Sequence, residues 1–298
     1  MEKRQYGNTG MQVSVLGFGG AEIGFQGLSE SEAGRLLGSA LDAGLNVIDT
    51  AECYATSEEL IGKTVGHRRG DYYLFTKCGH ASGLDGSDWD PKMLEMSIDR
   101  SLRRLQTDYV DVIHLHSCSE EILRQGDVID VLRRAKEKGK TRFVGYSGDH
   151  KAALYAVRSG AFDSLETSLN IADQEAVELT LPDAAAAGMG VTIKRPIANA
   201  AWVTGSKPEN EYAHTYWDRL QVLNYDFLRS GAEESIGIAL RFTLSVPGVC
   251  TAIVGTAKPD RWQQNAKLLE RGPLSVQEFE AIRATWREKA GADWIGQG

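Results

Sequence analysis

The sequence predicts an α/β chain folded as a closed (β/α)8 barrel of the TIM type, with an N-terminal β-hairpin cap and an extra C-terminal helix. Three observations predict it. Eight short apolar runs alternate with amphipathic helical patterns from residue 14 onward. Runs that are apolar nearly throughout demand cover on both faces, as in parallel sheets. No Pro/Gly/Ser-rich linker divides the repeats, so one domain over residues 1–298 is expected rather than two open sheets.

The elements follow in order. "RQYGNTGMQVSVLG" reads as a short hairpin turning at Asn8-Thr9-Gly10, which would plug one end of the barrel. Barrel strands are expected at 14–19, 46–49, 72–77, 111–116, 141–147, 162–169, 190–196 and 249–255. Helix starts are marked by the capping-box pairs Ser29 with Glu32 and Thr56 with Glu59, and by proline in the first turn at Asp90-Pro91 and Lys258-Pro259. In the helix from Pro91, Leu94, Ile98, Leu102 and Leu105 form one apolar stripe. Leu274 to Trp286 reads as the extra helix. Residues 197 to about 230, holding Trp202, Tyr212, Tyr216, Trp217 and Tyr225, read as a long loop of the kind that carries function.

Composition narrows the function. A net charge of -8 opposes binding to nucleic acid or anionic membrane. "MEKRQYGNTG" lacks the apolar core of a signal peptide, and no stretch reaches the roughly 18 apolar residues that span a bilayer. A cytoplasmic location is expected. Cys53, Cys78, Cys118 and Cys250 form no CxxC pair, which points to reduced packing residues rather than a zinc cage or redox couple.

In a parallel barrel the chemistry gathers where the strands end. Asp49 ends the second barrel strand, Lys77 the third and His116 the fourth, and Tyr54 lies on the loop after Asp49. A phenol of ordinary pKa about 10 is a poor proton donor near neutrality. At an effective dielectric of about 20, an ammonium roughly 4 Å away contributes about 4 kcal/mol, or about 3 pKa units before desolvation. Lys77 could supply that field, Asp49 would keep Lys77 charged, and His116 could orient a carbonyl oxygen toward Tyr54.

Nucleotide motifs of the common kinds fail. Glu22 stands where the last glycine of G-x-G-x-x-G would follow Gly17 and Gly19, and Ser57 and Arg134 stand where the first glycine of a phosphate loop belongs. "IVGTAKPDRWQQN", residues 253–265, instead ends the eighth strand and opens a helix, offering backbone donors with Thr256, Lys258 and Arg261 to a phosphate.

These segments together resemble the aldo-keto reductases: "NVIDTAECYATSEELIG" looks like that family's second-strand signature, "LFTK" its lysine strand and "DYVDVIHLH" its histidine strand. The resemblance covers nearly the whole chain. It implies a tetrad of Asp49, Tyr54, Lys77 and His116, with Tyr54 as general acid and hydride supplied by NADPH to a small carbonyl substrate such as an aldehyde, ketone or sugar. It places Thr256 and Arg261 at the adenosine 2'-phosphate, Gln264 and Asn265 at the adenine edge, and Lys194 near the cofactor. Gly255 stands where some members carry a basic residue, which Lys258 would replace.

Two departures fall where the family binds the nicotinamide carboxamide. Ser147 is followed by Gly148 instead of Asn, and Glu166 replaces Gln. An anion there would favour the positively charged oxidised cofactor. Other readings stand beside the resemblance: a non-catalytic NADP(H)-binding regulatory protein, a Schiff-base lyase using Lys77 or Lys194, and a metal-dependent hydrolase in which His114 and His116, two apart on one strand face, share a metal with His80.

Overall fold

The structure, a computed structural model, describes residues 1–258 and 260–297. Lys3–Gln5 (β1) and Gln12–Ser14 (β2) pair antiparallel. Eight parallel strands then close a barrel: Leu16–Gly19 (β3), Val47–Asp49 (β4), Tyr73–Cys78 (β5), Val110–His116 (β6), Thr141–Ser147 (β7), Ser164–Ser168 (β8), Gly190–Lys194 (β9) and Thr251–Gly255 (β10), with β10 beside β3. All eight expected strands form, several a residue or more shorter than their apolar runs.

The hairpin turns through Gly7–Thr9 into the left-handed Gly10. It sends Tyr6 into the barrel floor, where the hydroxyl meets Ser164 Oγ at 2.6 Å and Thr192 Oγ1 at 2.8 Å. The ring packs against Gly190, where any Cβ would collide with it. Sequence spacing thus predicts the plug, and a glycine makes room for it.

Helix starts divide. Ser29 and Glu32 form the expected capping box, and Asp90 accepts from the Lys92 and Met93 amides at 2.9 and 3.0 Å ahead of Pro91. Behind that start Leu94, Ile98 and Leu105 are buried and Leu102 is partly so. Thr56 does not cap. Its φ/ψ of -92°, 3° is not the extended conformation that turns a cap hydroxyl back to the helix, and its Oγ1 donates instead to Gly24 O at 3.4 Å. Pro259 lies outside the described residues; the helix beyond it runs Arg261–Leu268.

The long loop after β9 contains a helix, His214–Leu223, whose buried Tyr216, Leu220 and Leu223 recur at helical spacing. The aromatics of this region obscured that pattern. The C-terminal helix is Val276–Lys289, opened by a Ser275–Glu278 capping box. Among the described residues no helix is long and apolar enough to cross a membrane.

Candidate active site

Parallel closure brings Asp49, Lys77, His116, Ser147, Glu166, Lys194 and Gly255 to one end of the barrel, each at or within two residues of its strand's C-terminus. Lys77 is the centre. Its ammonium is fully buried and donates to Asp49 Oδ1, to Thr50 O at 3.1 Å, and lies 3.3 Å from Glu166 Oε1. Burial works against the charge, but Asp49 and Glu166 together hold the lysine pKa above its ordinary value.

The sequence assigned Lys77 one counter-charge; the structure gives it two. Burial and the neighbouring Glu166 push the Asp49 carboxyl well above the usual range, while Lys77, overcoming burial, holds Glu166 below it. Such a pair titrates as one. Glu166 Oε1 also accepts from Ser147 Oγ at 3.3 Å, whereas Oε2 is buried with no partner.

Tyr54 is half-buried on the loop after β4, with the Lys77 ammonium 5.4 Å from its ring centroid and the His116 ring edge-on at 5.7 Å. Its pKa runs opposite to the expected direction. Lys77 does pull it down, but burial, aided by Asp49 and Glu166, raises it above the ordinary phenol. The hydroxyl therefore stays protonated at neutral pH.

His116 is held neutral, because burial and then the positive field of Lys77 and Lys194 keep its pKa well below the ordinary imidazole. Its Nδ1 lies 3.5 Å from Cys53 Sγ, and its ring is 5.4 Å from His80. Cys53 thus has a neighbour that its chain position does not reveal. His114 is a separate case: it is buried, its Nε2 meets Ser164 Oγ at 2.9 Å, and burial lowers its pKa to about 4. The ligand-type cluster found among the described residues is Asp49, His114 and Glu166, without His116. Two of its three members already hold the Lys77 ammonium, which argues against a metal in that cluster.

Lys194 is paired with Asp149 Oδ2 at 2.9 Å, and Asp149 is fixed by Thr167 Oγ1 at 2.8 Å and the Ser168 amide at 2.7 Å. Burial lowers the Lys194 pKa, with Asp149 opposing. Asp149 was not singled out in the sequence. Trp202, on the loop after β9, is buried with its indole N–H on Ser235 Oγ at 2.8 Å. Tyr216 and Tyr225 are likewise core residues.

At the β10 end, Thr256 is buried and its Oγ1 accepts from the Lys258 amide at 3.0 Å. Lys258 and Gln264 are exposed and Arg261 is half-buried; among the described residues neither cation meets a carboxylate. Asn265 is 2 % exposed and its Nδ2 has no partner. Gly255 has a local cause: the Glu22 carboxylate lies across it, where any side chain would collide. The acid that broke the glycine-rich motif is the group that needs this glycine.

The segment Ile295–Gln297 folds back beside the mouth. The Gly296 amide donates to Glu175 Oε2 at 2.8 Å, the Gln297 amide to Asp173 Oδ2 at 3.3 Å, and Arg219 to Ile295 O at 2.9 Å. Burial and then Asp149 raise the Asp173 pKa to about 7. From pH about 4 to about 7 the native state keeps a proton the unfolded chain has lost, so stability falls as pH rises through that window. Asp173→Asn is expected to raise stability by about 2 to 4 kcal/mol at pH 8, at ~1.4 kcal/mol for each pH step between the unfolded and folded pKa values, and by little at pH 4.5. Urea titrations at both pH values measure it; equal effects at the two would rule it out.

Barrel and mouth together set the chain among the (β/α)8 proteins whose chemistry sits at the strand ends. It belongs to the Aldo/keto reductase family, which it matches over residues 15–287. It is 29% identical to L-galactose dehydrogenase of Arabidopsis thaliana over 296 residues, spanning 95% of this chain and 90% of that protein. To D-threo-aldose 1-dehydrogenase of a Pseudomonas species it is 26% identical, over 87% of this chain and 90% of the other. Aldo-keto reductase AKR11C1 from Bacillus halodurans, in its holo form, superposes with a TM-score of 0.83 at 28% identity, covering 96% of each chain.

Proposed function

We propose that the chain, as one domain over residues 1–298, is an NADP-dependent oxidoreductase of the cytoplasm that interconverts a small carbonyl compound and its alcohol, with sugars as the substrate class. The observation that carries this is a fully buried ammonium, Lys77, clamped by two carboxylates beneath the ring of a protonated tyrosine. The names of the two dehydrogenase relatives support sugars.

The residues fit a nicotinamide dinucleotide. Glu166 Oε2 and Asn265 Nδ2 are buried without partners, which suits a carboxamide nitrogen and an adenine edge respectively. Thr256, Lys258 and Arg261 stand ready for a phosphate, with Gln264 alongside and Gly255 at the strand end with the Glu22 carboxylate against it. Bound there, the cofactor supplies or accepts the hydride. Ser147 and Lys194, each fixed by a carboxylate, line the mouth between.

In reduction the carbonyl carbon gains a hydride and its oxygen gains the Tyr54 proton. His116, neutral and edge-on to Tyr54, donates a hydrogen bond that orients the oxygen. Lys77 stabilises the phenolate that remains, and the Asp49–Glu166 pair keeps Lys77 charged. Absorbance of the reduced cofactor, followed with a panel of aldoses, aldehydes and ketones in both directions, tests the function. Turnover of none of them would count against it.

Cofactor choice is tested separately. Arg261→Ala is expected to weaken NADPH binding by roughly tenfold or more, about 1.4 kcal/mol, and to leave NADH nearly unchanged. Equal losses for the two cofactors, by fluorescence titration, would remove the 2'-phosphate assignment.

A further inference from the structure

We infer that Glu166 sets the proton affinity of Tyr54 by competing with it for the charge of Lys77, making Glu166 a positioning residue for proton transfer and a sensor of the charge on whatever occupies the mouth. The inference rests on the oxidoreductase reading for its use in catalysis, but its physical content does not.

The geometry is a single ammonium between two acids. Asp49 reaches Lys77 from β4 and Glu166 from β8, both 1% exposed. Among the described residues the other charged or titratable groups facing the cluster include Tyr54 and Cys53 on the β4 loop, Tyr6 on the barrel floor, His114 and His116 on β6 and Lys194 on β9. His114 is fixed by Ser164 and Lys194 by Asp149, so neither is free to replace Lys77 at Glu166.

A lone ammonium beside a phenol stabilises the phenolate, and a second carboxylate on that ammonium offsets the effect. Both acids face the Lys77 ammonium directly, so each takes a share of its charge. The buried Oε2, which has no hydrogen-bond partner, adds a second property: it leaves Glu166 an acceptor with which to answer a cationic group bound in the mouth. A positive ring there draws the Glu166 charge away from Lys77 and lowers the Tyr54 proton affinity; a neutral ring leaves the charge on Lys77 and raises it. The residue thereby readies Tyr54 to accept a proton beside a positive ring, as oxidation of an alcohol or sugar hemiacetal requires, and to hold one beside a neutral ring.

The test uses the full-length protein labelled with tyrosine carrying 13C at the ring carbon that bears the hydroxyl, with the Tyr54 signal assigned by its loss in Tyr54→Phe. In Glu166→Gln the Tyr54 signal is expected to titrate at least one pH unit lower than in the parent, and Glu166→Met, of similar size and uncharged, should do the same. Binding of the two cofactor forms gives the second readout: the preference for oxidised over reduced cofactor should fall by about tenfold in Glu166→Gln. Unchanged Tyr54 titration in both variants overturns the inference even if the protein turns over sugars. Conversely, the titration stands as a result if no substrate is found, which separates failure of this inference from failure of the proposed function.

Discussion

Lys77→Met is expected to abolish turnover and to destabilise the protein by about 3 to 5 kcal/mol at pH 8, the usual cost of leaving a buried charge without its partner. Here two carboxylates, Asp49 and Glu166, would face each other with no cation between them. They would answer by taking up protons, so their native pKa values would rise far above the unfolded values near 4. Between those limits the native variant binds more protons than its unfolded chain, and its stability falls as pH rises. The deficit relative to the parent should therefore be largest at pH 8 and smallest near pH 5. Adding Glu166→Gln to Lys77→Met should return a substantial part of the loss at pH 8. Denaturant titrations of the variants at both pH values decide the matter, and a deficit independent of pH would show that Lys77 contributes packing alone.

Tyr54→Phe should act on rate and leave the fold alone. Among the described residues the Tyr54 hydroxyl has no hydrogen-bond partner, and the ring contacts to Phe25 and His116 survive the change. Stability should move by less than about 0.5 kcal/mol, as for a surface change away from packing features. The rate of the chemical step should fall by about 100-fold to 10,000-fold, the usual contribution of a positioned proton donor, with cofactor affinity unchanged. Turnover equal to the parent would place the proton donor elsewhere. Loss of cofactor binding would mean that the ring, and not the hydroxyl, matters.

The scaffold was legible because burial writes itself into single segments: a strand covered on both faces must be apolar along its length, and the acid or lysine that ends it stands out. Asp49, Lys77 and His116 were visible for that reason. Partnerships between strands were not. That Glu166 points inward follows from its parity with Ser164 and Ser168, but its arrival on Lys77 depends on the closure of the barrel. Cys53 beside His116, Asp149 on Lys194 and Glu22 across Gly255 belong to the same class, pairs separated by tens to hundreds of residues whose contact no local pattern encodes. The Thr56 cap failed for a more local reason. Its residue types fit the motif, but the turn carrying Tyr54 delivers the chain to that helix in the wrong backbone conformation.

The buried hydroxyl of Tyr6 has a consequence for the order of assembly. Its partners, Ser164 and Thr192, lie 158 and 186 residues further along the chain. A ribosome adding about 5 to 20 residues per second releases the hairpin many seconds before β9 exists to receive it. The first tyrosine made is thus among the last to be seated. Contacts of such long sequence separation form slowly, because the intervening chain must be ordered first. Tyr6 therefore reports the arrival of β8 and β9: its hydroxyl has both partners only when these two strands are in place.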